Sequence, residues 1–258
     1  MKRDKKEGFL EFAKILAKGS GKIILDDFKK ERKFRRKEDG SLVTETDLKS
    51  EKFIIERIRK KYPDHGILAE ESGNSKSESE YMWIIDPLDG THNFIYGLPL
   101  FGVSIALARK EEVIAGVIYL PVPGELYYAE RGKGAFLNGK RIHVSMRNEK
   151  EALVLNDSCF AGKKEKNIAS LGKLADIFGH IRMFGSAVIN FTPIASGTAD
   201  VYVERTIKPW DLAAGCLLVE EAGGKVTEIS GKPWNIWSKD FIASNGKFHD
   251  RMTEILKE

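Results

Sequence analysis

The apolar run Trp83-Ile84-Ile85, followed at once by Asp86-Pro87-Leu88-Asp89-Gly90-Thr91, constrains this chain more than any other stretch. A short, wholly apolar run predicts a buried strand. The segment from Asp86 to Thr91 predicts a strand end that delivers two carboxylates, a glycine turn and a threonine to one point. Carboxylates this close repel, so something positive must hold both ionised. Hard oxygen donors favour Mg²⁺ over zinc or copper. Taken by itself, the segment also fits an Asp-Gly turn with an aspartate capping a helix. The rest of the chain decides between the two.

With 258 residues, 42% of them hydrophobic, the chain can bury a substantial core as one large domain or two intimately packed halves. Its 42 basic and 38 acidic residues nearly balance, for a net charge of +4. That balance carries no nucleic-acid footprint across the whole chain. No run of 18 apolar residues occurs, and Met1-Lys2-Arg3-Asp4-Lys5-Lys6 leads straight into a charged helix. The expectation is a cytoplasmic protein without a membrane partner. Cys159 and Cys216 lack a C-x-x-C spacing, which argues against a disulfide framework or a cysteine zinc site. The five histidines show neither H-x-H nor H-E-x-x-H spacing, so histidine metal chemistry has no basis. Glutamine is absent while Lys, Arg and Glu abound, a thermophile-like composition.

Periodicity predicts a helix over 7–28, with Phe9, Phe12, Ala13, Leu16, Ile23 and Ile24 near helical spacing. A basic stretch, 29–37, and an Asp39-Gly40 turn come next. A second helix is predicted from near Asp47 to before Pro63, then a strand Ile67-Leu68-Ala69 delivering Glu70-Glu71. Four consecutive strands are expected: Val103 to Leu107, Val113 to Leu120, Leu126 to Ala129, and Ile142 to Val144. Asn138-Gly139 is a hairpin signal among them. Helices are expected over 163–178, 186–197 and 211–222, with strands near 199–203 and 241–244. The whole reads as a layered α/β protein with mixed sheets, a single domain over 1–258 with a soft sub-boundary near 145–150.

Glu70-Glu71 alone reads as a solvated charged pair. Its position 15 residues before Asp86, at the end of a neighbouring apolar strand, suggests that Glu70, Asp86 and Asp89 meet. Pro209-Trp210-Asp211 before an apolar helix is an ordinary N-terminal cap, closed by Gly223-Gly224. A capping Asp211 still keeps a second oxygen for a metal. Thr44-Glu45-Thr46-Asp47 puts another carboxylate at a helix start.

Four segments together resemble the inositol monophosphatase family. Asp86-Pro87-Leu88-Asp89-Gly90-Thr91-His92-Asn93-Phe94 is similar to its D-P-[ILV]-D-G-T-x-N-[FY] signature, and Trp210-Asp211-Leu212-Ala213-Ala214-Gly215 to its W-D-x-x-A-G signature. Leu42 to Asp47 and Ala69-Glu70-Glu71-Ser72 match the two other acidic segments, and the agreement runs from about residue 7 to residue 250. The resemblance implies an αβαβα five-layer sandwich of the inositol monophosphatase/fructose-1,6-bisphosphatase type and a lithium-sensitive, metal-dependent phosphomonoesterase, usually a homodimer. It implies two to three Mg²⁺ per site. Glu70, Asp86 and the Leu88 carbonyl would hold one ion, and Asp86, Asp89 and Asp211 a second. A third would sit near Glu70 through waters. Thr91, oriented by Asp47, would position the attacking water, and the Gly90 and Thr91 backbone N–H groups would bind the phosphate.

For the substrate, the resemblance assigns Gly185-Ser186-Ala187 and Glu204 to the hydroxyls of inositol monophosphate. Arg182 and Arg205 resemble arginines that dual-specificity prokaryotic members use on fructose 1,6-bisphosphate, where a guanidinium fork suits a second phosphate. Both substrates therefore stay open. In the family, the basic stretch 29–37 is a loop able to fold over the site; Arg35, Arg36 and Lys37 are equal candidates to reach it. Some bacterial relatives also have a regulatory role with RNA or the ribosome, for which that loop would be the nucleic-acid contact. A haloacid-dehalogenase-type mechanism needs carboxylates two apart, whereas Asp86 and Asp89 are three apart.

Overall fold

The computed structural model describes residues 8–30, 33–38, 40–75, 77–156 and 164–257; residues 1–7, Glu31, Arg32, Asp39, Cys159 and position 163, on which some of the sequence expectations fall, lie outside them. In chain order come helix α1 (Phe9–Phe28), strands β1 (Phe34–Arg36) and β2 (Leu42–Thr44), helix α2 (Glu45–Lys61), and strands β3 (Gly66–Ala69), β4 (Gly73–Ser75) and β5 (Tyr81–Asp89). Helix α3 (Thr91–Tyr96) precedes a run of β6 (Gly102–Arg109), β7 (Glu112–Leu120), β8 (Glu125–Glu130), β9 (Gly134–Leu137) and β10 (Lys140–Ile142). The remainder is β11 (Val154–Asn156), α4 (Lys164–Ala175), β12 (Ile181–Arg182), α5 (Ala187–Ala195), β13 (Val201–Glu204), α6 (Pro209–Glu221), β14 (Lys225–Thr227), β15 (Phe241–Ser244) and α7 (His249–Leu256).

An eight-stranded sheet runs β10-β9-β8-β7-β6-β5-β3-β4, and a five-stranded sheet β12-β11-β13-β15-β14. Side-chain alternation along the strands builds the layers. From β5, Trp83 and Ile85 pack with Leu16, Ala17 and Ile54 of α1 and α2 on the outer face. Ile84, between them, faces α5 and α6, as do Tyr202 of β13 and Ala243 of β15 from the smaller sheet. The opposite face of that sheet, with Val201, Val203 and Ile242, packs on Leu174 of α4 and Met252 of α7. Helix, sheet, helix, sheet, helix: five layers, as the resemblance implied.

Helix α6 explains its own place. Leu212 through Val219 are buried without a polar stripe, as a helix must be when both sides face sheets. At Gly215 a Cβ would lie 2.2 Å from the Phe191 ring, so glycine lets α5 and α6 touch. Among the described residues no helix is long and apolar enough to cross a membrane.

Several boundaries move. Helix α2 begins at Glu45 because Thr44 is the N-cap and Asp47 closes a capping box with it. Helix α6 begins at Pro209, its rigid φ suiting the first turn, so Asp211 is the third helical residue and not the cap. Asn138-Gly139 does turn a hairpin, with Leu137 opposite Lys140, but it joins β9, unforeseen, to β10. The strand expected at Ile142 to Val144 ends at Ile142.

Candidate active site

Three chain segments meet at the ends of β3 and β5. These strands are parallel neighbours with Ala69 beside Ile85, and the Glu70 N–H continues the ladder to the Ile85 carbonyl at 3.2 Å. Glu70 is thereby brought beside Asp86. The ladder between β5 and β6 then slips, Asp86 pairing with Ser104 but Asp89 with Gly102. Proline at position 87 has no N–H to give, and a bulge results. The Leu88 N–H turns back to Asp86 Oδ1 at 2.9 Å. Gly90, at φ +90, makes the exit turn, where a Cβ would sit 2.8 Å from the Leu100 carbonyl oxygen. From the other side the Ser104 hydroxyl holds the Trp210 carbonyl at 3.0 Å, seating the first turn of α6 and with it Asp211.

Asp86, Asp89 and Asp211 each offer a carboxylate oxygen, and all three atoms lie within 4.8 Å of one another. Burial, then the charges of Glu70, Asp89 and Asp211, holds the Asp86 carboxyl well above the usual range. Burial and repulsion from Asp89 push Asp211 up to about 7. Asp89 is raised by burial in spite of donors from Ser186, Val188, Ala187 and Gly90. Glu70 is pushed to about 8 by burial and then by Asp211, against the pull of Lys37. Buried carboxylates that cannot all ionise without a positive partner, in an all-oxygen set, fit a hard divalent cation.

Thr91 stands beside this trio. Its hydroxyl lies 3.1 Å from Asp47 Oδ1 and 3.1 Å from the Leu88 carbonyl. The other Asp47 oxygen accepts the Thr44 N–H at 2.8 Å and the Thr44 hydroxyl. Burial raises the Asp47 carboxyl, opposed by those bonds from Thr44 and Thr91. The surrounding cleft, about 410 Å³, is also lined by Lys37, Ser41, His92, Gly185, Thr206, Lys208 and Trp210.

Among the described residues of the basic stretch, Lys37 reaches the site. Its ammonium lies 3.0 Å from Glu70 Oε1 and 2.7 Å from Glu71 Oε1. Burial works against its charge, but the bond to Glu71 and the Glu70 charge outweigh that and raise its pKa. Arg36 instead donates to the Gly40 carbonyl, and Arg35 is exposed on β1. Lys37, Ser41, Glu71, His92, Thr206 and Lys208 were not singled out as site residues from sequence. Glu71 and His92 lay inside the matched segments, and Lys37 had a signal shared with six other cations in nine residues.

The residues expected to read the substrate divide. Gly185 lines the cleft, but the Ser186 hydroxyl and the Val188 N–H both donate to Asp89 Oδ2, as does the Ala187 backbone to that carboxylate. The turn is therefore committed to holding Asp89. Glu204 is buried and accepts the Tyr202 hydroxyl at 2.7 Å. Arg205 departs from expectation. Its guanidinium donates to the Ser170 hydroxyl of α4 and, at 3.0 Å, to the Leu256 carbonyl of α7, in the outer layer. Strand neighbours point to opposite faces, so Glu204, beside Tyr202 on the inner face, and Arg205 in the outer layer do not share one. Arg182 is exposed, its guanidinium 3.0 Å from the Ile181 carbonyl.

Comparison with known proteins is consistent with this geometry. A model of the inositol monophosphatase family matches residues 5–258. A Thermotoga maritima protein named fructose-1,6-bisphosphatase/inositol-1-monophosphatase is 42% identical over 217 residues, covering 84% of this chain and 83% of its own. An Aquifex aeolicus protein of the same name is 39% identical over 257 residues, covering 97% and 96%. Among solved structures, the extragenic suppressor protein suhB of Bartonella henselae superposes with a TM-score of 0.92 at 34% identity, covering 96% of this chain and 98% of that one.

Proposed function

This chain belongs to the inositol monophosphatase family and is a phosphatase, and from that premise we propose a Mg²⁺-dependent phosphomonoesterase acting on inositol monophosphate. The observation that carries the reading is the trio of Asp86, Asp89 and Asp211, within 4.8 Å of one another, with the Thr91–Asp47 pair alongside. Glu70, Asp86 and the Leu88 carbonyl would hold one ion, Asp86, Asp89 and Asp211 a second, and waters near Glu70 a third. Bound there, Mg²⁺ supplies charge to phosphate oxygens and lowers the pKa of a water.

The protein's own part is orientation. The single Thr91 proton is directed between Asp47 and the Leu88 carbonyl, so the hydroxyl's lone pairs are left to accept a hydrogen bond from an attacking water and orient it. Asp47 keeps Thr91 in that rotamer because its second oxygen is tied to Thr44. The Gly90 N–H is already turned to the Asp89 carboxylate, which leaves the Thr91 N–H, in the first turn of α3, as the better phosphate donor. Glu204 would accept from a ring hydroxyl of the substrate.

A second reading, fructose 1,6-bisphosphate, is favoured by the Thermotoga and Aquifex relatives, both named for the two activities. Arg182 is the candidate for its second phosphate, and Arg205 is not. Tyr96, the last residue of α3, and Leu98, two residues on, are large and exposed, which supports a homodimer. The test is phosphate release from inositol 1-phosphate and fructose 1,6-bisphosphate in parallel, with Mg²⁺ and with EDTA. Turnover of the first alone supports the main reading, and comparable turnover of both supports the second. Activity undiminished by EDTA would overturn the metal assignment.

A further inference from the structure

The bulge at Asp86 to Asp89 takes the Pro87 and Leu88 carbonyls out of the ladder with β6. Buried carbonyls need partners elsewhere, and these two find them on opposite sides. The Leu88 oxygen turns to the cleft and takes the Thr91 hydroxyl. The Pro87 oxygen turns inward and takes the Ser50 hydroxyl at 2.8 Å. Ser50 also touches the Ser20 hydroxyl of α1. A serine has one proton to donate. Ser50 gives its proton to Pro87, so Ser20 must donate to Ser50, and the relay runs from α1 through α2 to β5. Both serines are fully buried, so alanine at position 50 would leave the buried Pro87 carbonyl without its donor.

Ser50 does not act alone on α2. Asp47, Ser50 and Glu51 have the i, i+3, i+4 spacing of one helix face. Asp47 holds the Thr91 hydroxyl, Ser50 the Pro87 carbonyl, and Glu51 Oε2 accepts the Glu71 N–H at 2.8 Å. One rigid face thus grips the three places where chain leaves β3 and β5 for the cleft.

We propose that this face of α2 is the template for the metal-binding geometry and that Ser50 is a positioning residue, fixing the bulge so that the Leu88 carbonyl is presented to the cleft. The inference rests on the proposed metal site. It is tested by titrating Mg²⁺ calorimetrically into the native protein, Ser50→Ala and Ser20→Ala, with thermal melts of each in EDTA. Both variants are expected to melt lower. Ser50→Ala is expected to bind Mg²⁺ about tenfold more weakly, as loss of a group that orients a ligand does. Ser20→Ala, which leaves the Ser50–Pro87 bond in place, is expected to bind as the native protein does. If Ser50→Ala does not fold, Ser50→Cys, of similar size but a weak donor, is expected to show the same loss. Native affinity in the Ser50 variants, or an equal loss in Ser20→Ala, would overturn the inference and leave the relay as ordinary core bonding. A native protein that takes up no Mg²⁺ would overturn the metal reading and the inference with it.

Discussion

In EDTA the folded protein is expected to lose stability as pH rises from 6.5 to 8, and the carboxylate cluster sets the size of the loss. Glu70 sits at about 8 when folded against an ordinary 4.5, through burial and Asp211. Asp211 sits at about 7 against 3.8, through burial and Asp89. In this window the unfolded chain has already released these protons, while the folded chain keeps one. Stability rises with pH where the unfolded state binds more protons. Here the folded state binds more, so stability falls. Below pH 6.5 His249 acts oppositely. Burial and the Lys225 charge hold it at about 4 against 6.5, so it adds stability as pH climbs, and most of that gain is made before the window opens. One retained proton across about 1.5 pH units amounts to about 2 kcal/mol, or about 5 °C in melting temperature for a chain this long.

Circular-dichroism melts in EDTA at pH 6.5, 7 and 8 measure the loss. Glu70→Gln, which cannot ionise, is expected to make the fall from pH 7 to 8 shallower, leaving only the part due to Asp211, which is half-protonated at pH 7. Saturating Mg²⁺ is expected to reverse the trend, because ligands must be deprotonated to bind. A native protein whose melting temperature is level from pH 6.5 to 8 in EDTA would refute the reasoning. So would a Glu70→Gln variant with the native slope.

Asp89→Asn is expected to lower Mg²⁺-dependent turnover more than about 100-fold with an unchanged circular-dichroism spectrum, since the amide oxygen can still accept from Ser186 and Val188. Wild-type-like activity would remove Asp89 from the ligand set. Glu204→Ala is expected to raise the KM for inositol 1-phosphate about tenfold or more, the worth of a hydrogen bond to a charged group, while sparing p-nitrophenyl phosphate. An equal effect on both substrates would make Glu204 a structural partner of Tyr202.

Where the sequence was legible, the pattern was long and the burial one-sided or complete. Helix α1 carries its apolar stripe over five turns, and β5, β6 and β7 are eight or nine residues each. The parallel arrival of Glu70 and Asp86 at one edge could be inferred from two apolar runs that each end in an acid. The short strands β1, β4, β11, β12 and β14, of two or three residues, escape because so few positions hold no period. Helix α7 buries only four of its eight residues and offered little more. Lys37 could not be told from its neighbours by type or spacing. It is selected by the turn that closes β1 on β2, where the Lys37 N–H reaches the Ser41 carbonyl at 2.8 Å. Arg205 failed for a different reason. Adjacency in sequence suggested a shared site with Glu204, and the pleat separates them.

Asp47 and Asp211 explain why the capping and ligand readings could not be separated in the sequence, because the fold uses both at once. Each is the third residue of its helix and accepts the N–H of the residue before the helix, Thr44 at 2.8 Å and Lys208 at 3.4 Å. That bond satisfies a donor the helix leaves open, and the positive end of the helix favours the charge. It also fixes the carboxylate's plane, which a surface aspartate on a loop would not have. The oxygens not engaged by the cap then point in a set direction, toward Thr91 in one case and toward Asp86 and Asp89 in the other. A cleft that must hold several anions close together needs each one anchored from behind. Helix starts provide that anchor for Asp47 and Asp211, and the N-terminal donors of α5 provide it for Asp89. Asp86, which shares a hydrogen bond with Asp211 and accepts the Leu88 N–H of its own turn, depends on the bulge, and through Pro87 the bulge depends on Ser50.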